Sequence, residues 1–217
     1  MRIWYWILHL LFPERCVLCR RVLGKEELDL CHTCRTDSPQ YPVSKRRPQF
    51  LDSFAAVWYY EGSVRGSLLR YKFHGARHYA SAYGRLLAMK LQREYPEGFD
   101  ILTWVPVSRL RRIRRGYDQV ELLARALGRE LGMVPVCTLK KIRHNRQQSR
   151  IADSARRRAN VLGVYRVICS DEICGKRILI LDDILTTGAT VEECARMLRT
   201  YGAEEVHCAA IAAARKR

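Results

Sequence analysis

The chain lacks any apolar run long enough to cross a bilayer. Its best candidate is the first twelve residues, MRIWYWILHLLF, about ten of them apolar, against roughly 20 for a spanning helix. No small-residue cleavage site follows, since Pro13, Glu14 and Arg15 come next. The segment therefore reads as a short helix or turn packed on the body of the protein, not as a secretory leader. Internal repeats and low-complexity tracts are also missing. So is a disulfide pattern, because nine cysteines without a leader fit a reducing compartment better than a secreted framework. The expected location is cytoplasmic, with no membrane span.

Acidic residues are scarce. Asp and Glu number 22 against 39 Lys and Arg, for a formal net charge of +17. This balance suits polyanions: phosphorylated small molecules, nucleic acid or an anionic membrane surface. It does not choose among them. With 48% hydrophobic and 28% charged residues the chain is globular in composition. Its 217 residues accommodate one α/β domain with a small appendage.

From residue 54 onward, strand-like and helix-like segments alternate. FAAVWYY at 54–60, ILTWVPV at 101–107, RILIL at 177–181 and the stretch 206–213 read as strands. Residues 64–73, 79–95, 119–131 and 191–201 have helical spacing, with Tyr83, Leu86, Leu87 and Leu91 on one face of the second. Gly98, Gly132 and Gly202 close helices. The nearly all-apolar RILIL is what a central parallel strand looks like when both faces are buried. The pattern predicts an α/β fold with a mostly parallel central sheet. Such sheets bind ligands beyond the carboxyl ends of their strands.

Two segments there are chemically loaded. In the first, RILIL delivers Asp182 and Asp183 to the expected strand end, followed by Ile184-Leu185-Thr186-Thr187-Gly188-Ala189-Thr190 and a helix. Backbone N–H groups of a glycine-containing turn at a helix N-terminus form an anion cradle, and the threonine hydroxyls add donors. A phosphate monoester fits. The two carboxylates make sense as acceptors for sugar hydroxyls, with a divalent cation balancing charge nearby. A nucleotide-binding P-loop is excluded: Gly175-Lys176 is followed by Arg177, and Ser170 stands where the first glycine belongs. The second segment, Val105-Pro106-Val107-Ser108-Arg109 through Arg115 to Gln119, holds five arginines and no acid before Asp118. Guanidinium forks suit phosphate oxygens, and Val107, Ser108, Arg109 and Arg115 are the candidates for a pyrophosphate.

Near the start, Cys16-x2-Cys19 and Cys31-x2-Cys34 lie eleven residues apart. Four thiolates at this spacing suit tetrahedral structural zinc; two disulfides or iron–sulfur are the alternatives. So short a segment has no core of its own, so the metal would hold its fold. The expected organisation is an apolar segment and zinc module at 1–37, a proline-bearing linker at 38–50 and the α/β domain at 51–217. A third feature is the basic stretch from Lys140 to Arg158, with Lys140, Lys141, Arg143, Arg146, Arg150, Arg156, Arg157 and Arg158 against Asp153. It reads as a solvated face, as cover for an anionic substrate, or as a contact for nucleic-acid backbone, with Tyr117 and Tyr165 as stacking surfaces.

The acid–threonine segment resembles the signature of type I phosphoribosyltransferases. Tyr71-Lys72-Phe73-His74-Gly75, Val105-Pro106-Val107, Arg115-Gly116-Tyr117-Asp118-Gln119, Arg146-Gln147-Gln148-Ser149 and Arg156-Arg157-Arg158-Ala159-Asn160 add a resemblance to the ComF family, phosphoribosyltransferase-like proteins tied to natural competence. It runs from Cys16 to about Ala213. The resemblance implies a type I phosphoribosyltransferase-like fold behind a zinc-ribbon-like module. It implies 5-phosphoribosyl-1-pyrophosphate (PRPP) as ligand, with Asp182 and Asp183 on the ribose hydroxyls as the catalytic pair. Thr186, Thr187, Gly188, Ala189 and Thr190 would hold the 5-phosphate, and Mg2+ would accompany the pyrophosphate. Single-stranded DNA and other competence proteins are implied partners. Many members carry a further cysteine pair that this chain lacks. No general base or nucleobase-specific pattern is legible.

Overall fold

A computed structural model describes residues 13–42, 49–108, 110, 112–113, 116–143 and 161–215. The N-terminal apolar segment, Arg109, Arg115, the Arg146–Ser149 motif and Arg156, Arg157 and Arg158 lie outside the described residues. The elements in order are α1 (His32–Asp37), β1 (Ser53–Tyr59), α2 (Gly62–Phe73), α3 (Tyr79–Glu94), β2 (Ile101–Trp104), α4 (Gln119–Leu131), β3 (Leu139–Lys141), β4 (Tyr165–Val167), β5 (Arg177–Leu185), α5 (Ala189–Thr200) and β6 (Glu205–Ala213).

Four strands form one all-parallel sheet in the order β1-β6-β5-β2. Two apolar cores cover its faces. Leu179 and Leu181 of β5 point into one, with α2, α3 and α4 and the cysteine module; Ile178 and Ile180 point into the other, with α5 and the β3–β4 hairpin. All four are fully buried, which is why the run carries no polar alternation. The strand does not stop at Leu181. It continues four residues further, pairing Asp182 with Ala210 and Leu185 with Ala213. The small side chains Ala209, Ala210, Ala212 and Ala213 of β6 leave room for the acids, so Asp182 and Asp183 are strand residues and not the first residues of a loop.

Local chemistry sets the helix ends. The Asp118 side chain caps α4, accepting from Val120 N at 2.9 Å and Glu121 N at 3.2 Å. The left-handed Gly132 at φ 69° closes it, the usual division of labour between the two ends. β2 is shorter than expected. It ends at Trp104, and Val105 N still donates to Leu181 O at 2.9 Å, so the segments after β2 and β5 leave the same sheet edge side by side.

Composition assigned residues 38–50 to a linker; within it, Gln40 bridges Trp58 antiparallel and Tyr41 N donates to Val57 O. The antiparallel hairpin of β3 and β4, three residues each, and the short helix α1 inside the cysteine module were not expected from periodicity.

Helices α3 and α4 pack at close quarters. A Cβ placed on Gly84 would stand 2.9 Å from Ala126 C and Cβ, too near for either helix to stay in place. Gly84→Ala is expected to cost about 1–3 kcal/mol by overpacking, read as a lowered urea midpoint at unchanged slope. An unchanged midpoint would mean the helices are free to separate.

Candidate functional site

Asp183 is held by side chains from two helices. It is 5% exposed and faces the α2–α4 side of the sheet. Lys72 Nζ, from the end of α2, lies 2.9 Å from its Oδ1, and Gln119 Nε2, from the start of α4, donates to its Oδ2 at 3.1 Å. Both helices are locked to each other at this point. Tyr71 Oη donates to Gln119 O at 2.6 Å, and Tyr117 Oη donates to Tyr71 O at 2.6 Å. The Arg77 guanidinium covers the Tyr117 ring at 4.4 Å. Asp118 also takes Val107 N at 3.3 Å, which ties the segment after β2 to the same cluster. Burial raises the Asp118 carboxyl above its ordinary range.

Successive residues of a strand face opposite sides, so Asp182 turns to the α5 side. Its Oδ1 accepts from Asp183 N at 2.8 Å. Burial, and next the adjacent Asp183 charge, push the Asp182 carboxyl well above the carboxylate range; Lys72 offsets part of this. The buried thiols Cys194 and Cys208 belong to the core on that side, and burial raises both. The two acids thus have different surroundings. Asp183 is neutralised by a cation, and Asp182 is not directly paired with one.

Past Leu185 the chain passes through Thr186 and Thr187 to Gly188, left-handed at φ 80°. A non-glycine residue is strained there. Ala189 and Thr190 open α5, and Thr187 Oγ1 accepts from Ala189 N at 3.4 Å. The N-terminus of a twelve-residue helix therefore sits directly beyond the acids, where backbone N–H groups and the helix dipole favour an anion. A cavity of about 320 Å3 opens against Thr186, Thr187 and Gly188, with Tyr41, Phe54 and Tyr59 as its aromatic wall.

The four cysteines converge. The sulfur atoms of Cys16, Cys19, Cys31 and Cys34 all lie within 4.8 Å of one another. Burial works against ionisation of Cys16, but N–H donors from Cys19, Cys31 and Leu18 hold its thiol down to about 7. Burial and the neighbouring thiols push Cys34 far up. Four soft donors this close together fit tetrahedral zinc. Among the described residues this is the one such cluster of potential metal ligands, and no comparable cage of carboxylates stands ready for magnesium.

The cysteine knuckle is fastened to α2. Ser67 Oγ donates to Val17 O and is 2.6 Å from Tyr83 Oη. Arg70 Nη2 donates to Leu18 O at 2.5 Å. Arg85 of α3 grips Asp29 through Nε at 2.8 Å and Nη2 at 2.5 Å, a paired geometry stronger than a point contact.

Residues 114–217 match the sequence model of the phosphoribosyl transferase domain, and residues 7–45 match that of the double zinc ribbon domain. Competence protein F of Haemophilus influenzae is 25% identical over 90% of this chain and 95% of its own. Competence protein ComFC of Streptococcus pneumoniae is 31% identical over 71% and 65%. DNA utilization protein YhgH of Escherichia coli K12 is 28% identical over 89% and 94%. The chain belongs to the ComF family. Its fold is that of a type I phosphoribosyltransferase domain behind a zinc ribbon with a single set of four cysteines.

Of the ComF residues picked out in the sequence, the structure groups Asp182, Asp183 and Thr186 to Thr190 at one sheet edge. Val107 and Ser108 stand on the neighbouring strand's continuation, and Ser108 is buried. Lys140 and Lys141 lie on β3, and Arg143 donates to Leu162 O and Gly163 O, so part of its charge holds the hairpin closed. Tyr165 corrects an expectation: it is 4% exposed, with Lys141 Nζ over its ring at 5.4 Å, and offers no face to a base. Lys72 and Gln119 stand in the family motifs, but nothing local to them announced that they clamp Asp183.

Asp182 makes a pH prediction. A carboxyl with a raised folded-state pKa favours folding only while protonated. That contribution is full below the unfolded value of about 3.9 and is lost as pH rises toward the folded value. Asp182→Asn is therefore expected to raise the melting temperature at pH 8 and leave it unchanged near pH 4. A variant equally or less stable at pH 8 would contradict the account.

Proposed function

We propose that this ComF-family chain binds PRPP, or another 5-phosphorylated ribose compound, at the carboxyl edge of β5 and β2, and that it acts in DNA uptake and utilization. The convergence of Lys72, Gln119 and Asp183 supports this reading best. Three segments far apart in sequence meet on one carboxylate beside a helix N-terminus, an arrangement that core packing does not require.

In this reading the 5-phosphate takes the N-terminus of α5, with Thr186, Thr187 and Thr190 as side-chain donors. The ribose hydroxyls donate to Asp183 and Asp182. The pyrophosphate lies toward Val107 and Ser108, with Arg109 and Arg115 as cations, and Mg2+ travels with it, since the described residues form no cage for it. Lys72 and Gln119 hold the Asp183 carboxylate in place before ligand arrives. Transfer breaks the bond from ribose C1 to the pyrophosphate oxygen, and the electron pair leaves with pyrophosphate. The acceptor forms the new bond to C1 and sheds a proton. Catalysis then rests on positioning and on charge stabilisation at the leaving group. The roles of the four cysteines are separate: they hold zinc and the fold of the module, with no coordination position left for water.

The names of the relatives support the place in DNA uptake, and the charge of +17 supports a polyanionic partner such as single-stranded DNA. A thermal-shift titration tests the ligand. PRPP with Mg2+ at 100 times its Kd stabilises a real site by about 2.7 kcal/mol. Asp183→Asn is expected to abolish the shift and Lys72→Ala to weaken it at least tenfold in Kd. No shift with PRPP or ribose 5-phosphate at millimolar concentration would overturn the reading and leave nucleic-acid binding as the function to pursue.

A further inference from the structure

Cysteines outside the zinc module are scattered in sequence, but the fold brings two of them face to face. Strands β3 and β4 pair antiparallel, with Leu139 opposite Val167 and Lys141 opposite Tyr165. Pairing continues past the strand ends: Ile168 N donates to Thr138 O at 2.9 Å, and at the other end Ile142 N donates to Val164 O at 2.8 Å. Two residues outward from Leu139 and Val167, the register sets Cys137 opposite Cys169. The ladder bonds fall at Thr138–Ile168 and Ile142–Val164, so the alternate positions, Cys137–Cys169 among them, are non-hydrogen-bonded pairs. Such pairs have their Cα atoms about 4.5 Å apart and their side chains closest. A disulfide needs a Cα separation of roughly 4.4–6.8 Å.

The side chains agree with the backbone. The Cys169 thiol donates to Cys137 O at 3.5 Å, crossing onto the opposite strand. The Cys137 thiol donates along its own strand to Leu139 O at 3.5 Å. Both are free thiols, Cys137 exposed and Cys169 half-buried, so a small oxidant reaches them. Cys194 and Cys208 are buried and outside this pair.

We propose that Cys137 and Cys169 are a thiol modification site that closes into a cross-strand disulfide in exchange with a low-molecular-weight disulfide. The Cys137 or Cys169 thiolate attacks the oxidant's S–S bond, expels one thiolate and forms a mixed disulfide. The partner cysteine, as thiolate, attacks the protein sulfur and expels the second. The protein loses two electrons and two protons, and the oxidant becomes two thiols. Both attacks go through thiolates, so closure runs faster as pH rises.

The bond would staple a particular place. Thr138 Oγ1 lies 2.8 Å from Thr103 Oγ1 of β2, and Val136 N donates to Leu102 O at 2.8 Å. The hairpin thus hangs from the strand that leads to Val107 and Ser108. Its other end carries Lys140, Lys141 and Arg143. Closing Cys137 to Cys169 fixes the root of this basic hairpin against the sheet. The inference is independent of which ligand the carboxyl edge holds.

The test uses the full chain, loaded with zinc and reduced. It is incubated with excess oxidised glutathione, its remaining thiols are alkylated, and its peptides are mapped by mass spectrometry, with released zinc followed by a chromogenic chelator. The expected result is a linked Cys137–Cys169 peptide, lighter by two hydrogens than the two separate peptides and reversed by dithiothreitol, with zinc retained. Cys169→Ser is expected to lose the link and accumulate glutathione on Cys137. Finding both cysteines separately alkylated or separately glutathionylated in the wild-type chain, or linked to other cysteines, would overturn the proposal. That mapping is decisive even if a variant folds poorly.

Discussion

Helix α2 is held by polar contacts at two points along one short length, and the carboxyl edge depends on both. Ser67 and Arg70 bind the carbonyl groups of the cysteine knuckle at Val17 and Leu18. One turn or less further on, Tyr71 holds α4 through Gln119 O and Lys72 neutralises Asp183. A cation placed against a nearly buried carboxylate is costly unless its helix is fixed, because either partner left alone would be a buried charge. The zinc ribbon supplies that fixation from outside the α/β domain. On this view the small module is a structural clamp for the site, and its four cysteines contribute to function without touching a ligand.

The unequal surroundings of Asp182 and Asp183 follow from the extra length of β5. Had the strand ended at Leu181, both acids would have been loop residues in water. Because the ladder runs on to Leu185, one acid faces α2 and α4 and finds Lys72, while the other faces the α5 side and has no cation directly against it. The second is a stability cost retained at the sheet edge. Such costs concentrate at functional sites, and this one sits directly before the helix N-terminus of α5.

Much of the architecture was legible because it rests on short-range patterns. Ile178 to Leu181 read as a buried parallel strand since both its faces are apolar, and Cys16, Cys19, Cys31 and Cys34 read as a zinc site since spacing alone brings four thiols together. The end of β5 was misjudged because two aspartates look like a strand terminus, and the compensating feature, the alanines of β6, lies far along the chain. The β3–β4 hairpin has three-residue strands joined by a long connection, so no local signal marks it. Tyr165 was taken for a stacking surface from its basic neighbours, yet Tyr165-Arg166-Val167 carries the period-2 alternation of a half-buried strand, and that was the available clue. Lys72 was beyond sequence physics altogether: its ion pair spans more than a hundred residues, and only the family motif around it pointed there.

The most direct test of the clamp is amide hydrogen exchange on the full chain with and without zinc. Removal of the metal by a chelator is expected to speed exchange across Gly62–Phe73 while leaving Ala189–Thr200 protected as before. Unchanged protection of Gly62–Phe73 after zinc loss would contradict the dependence of the Asp183 site on the zinc ribbon.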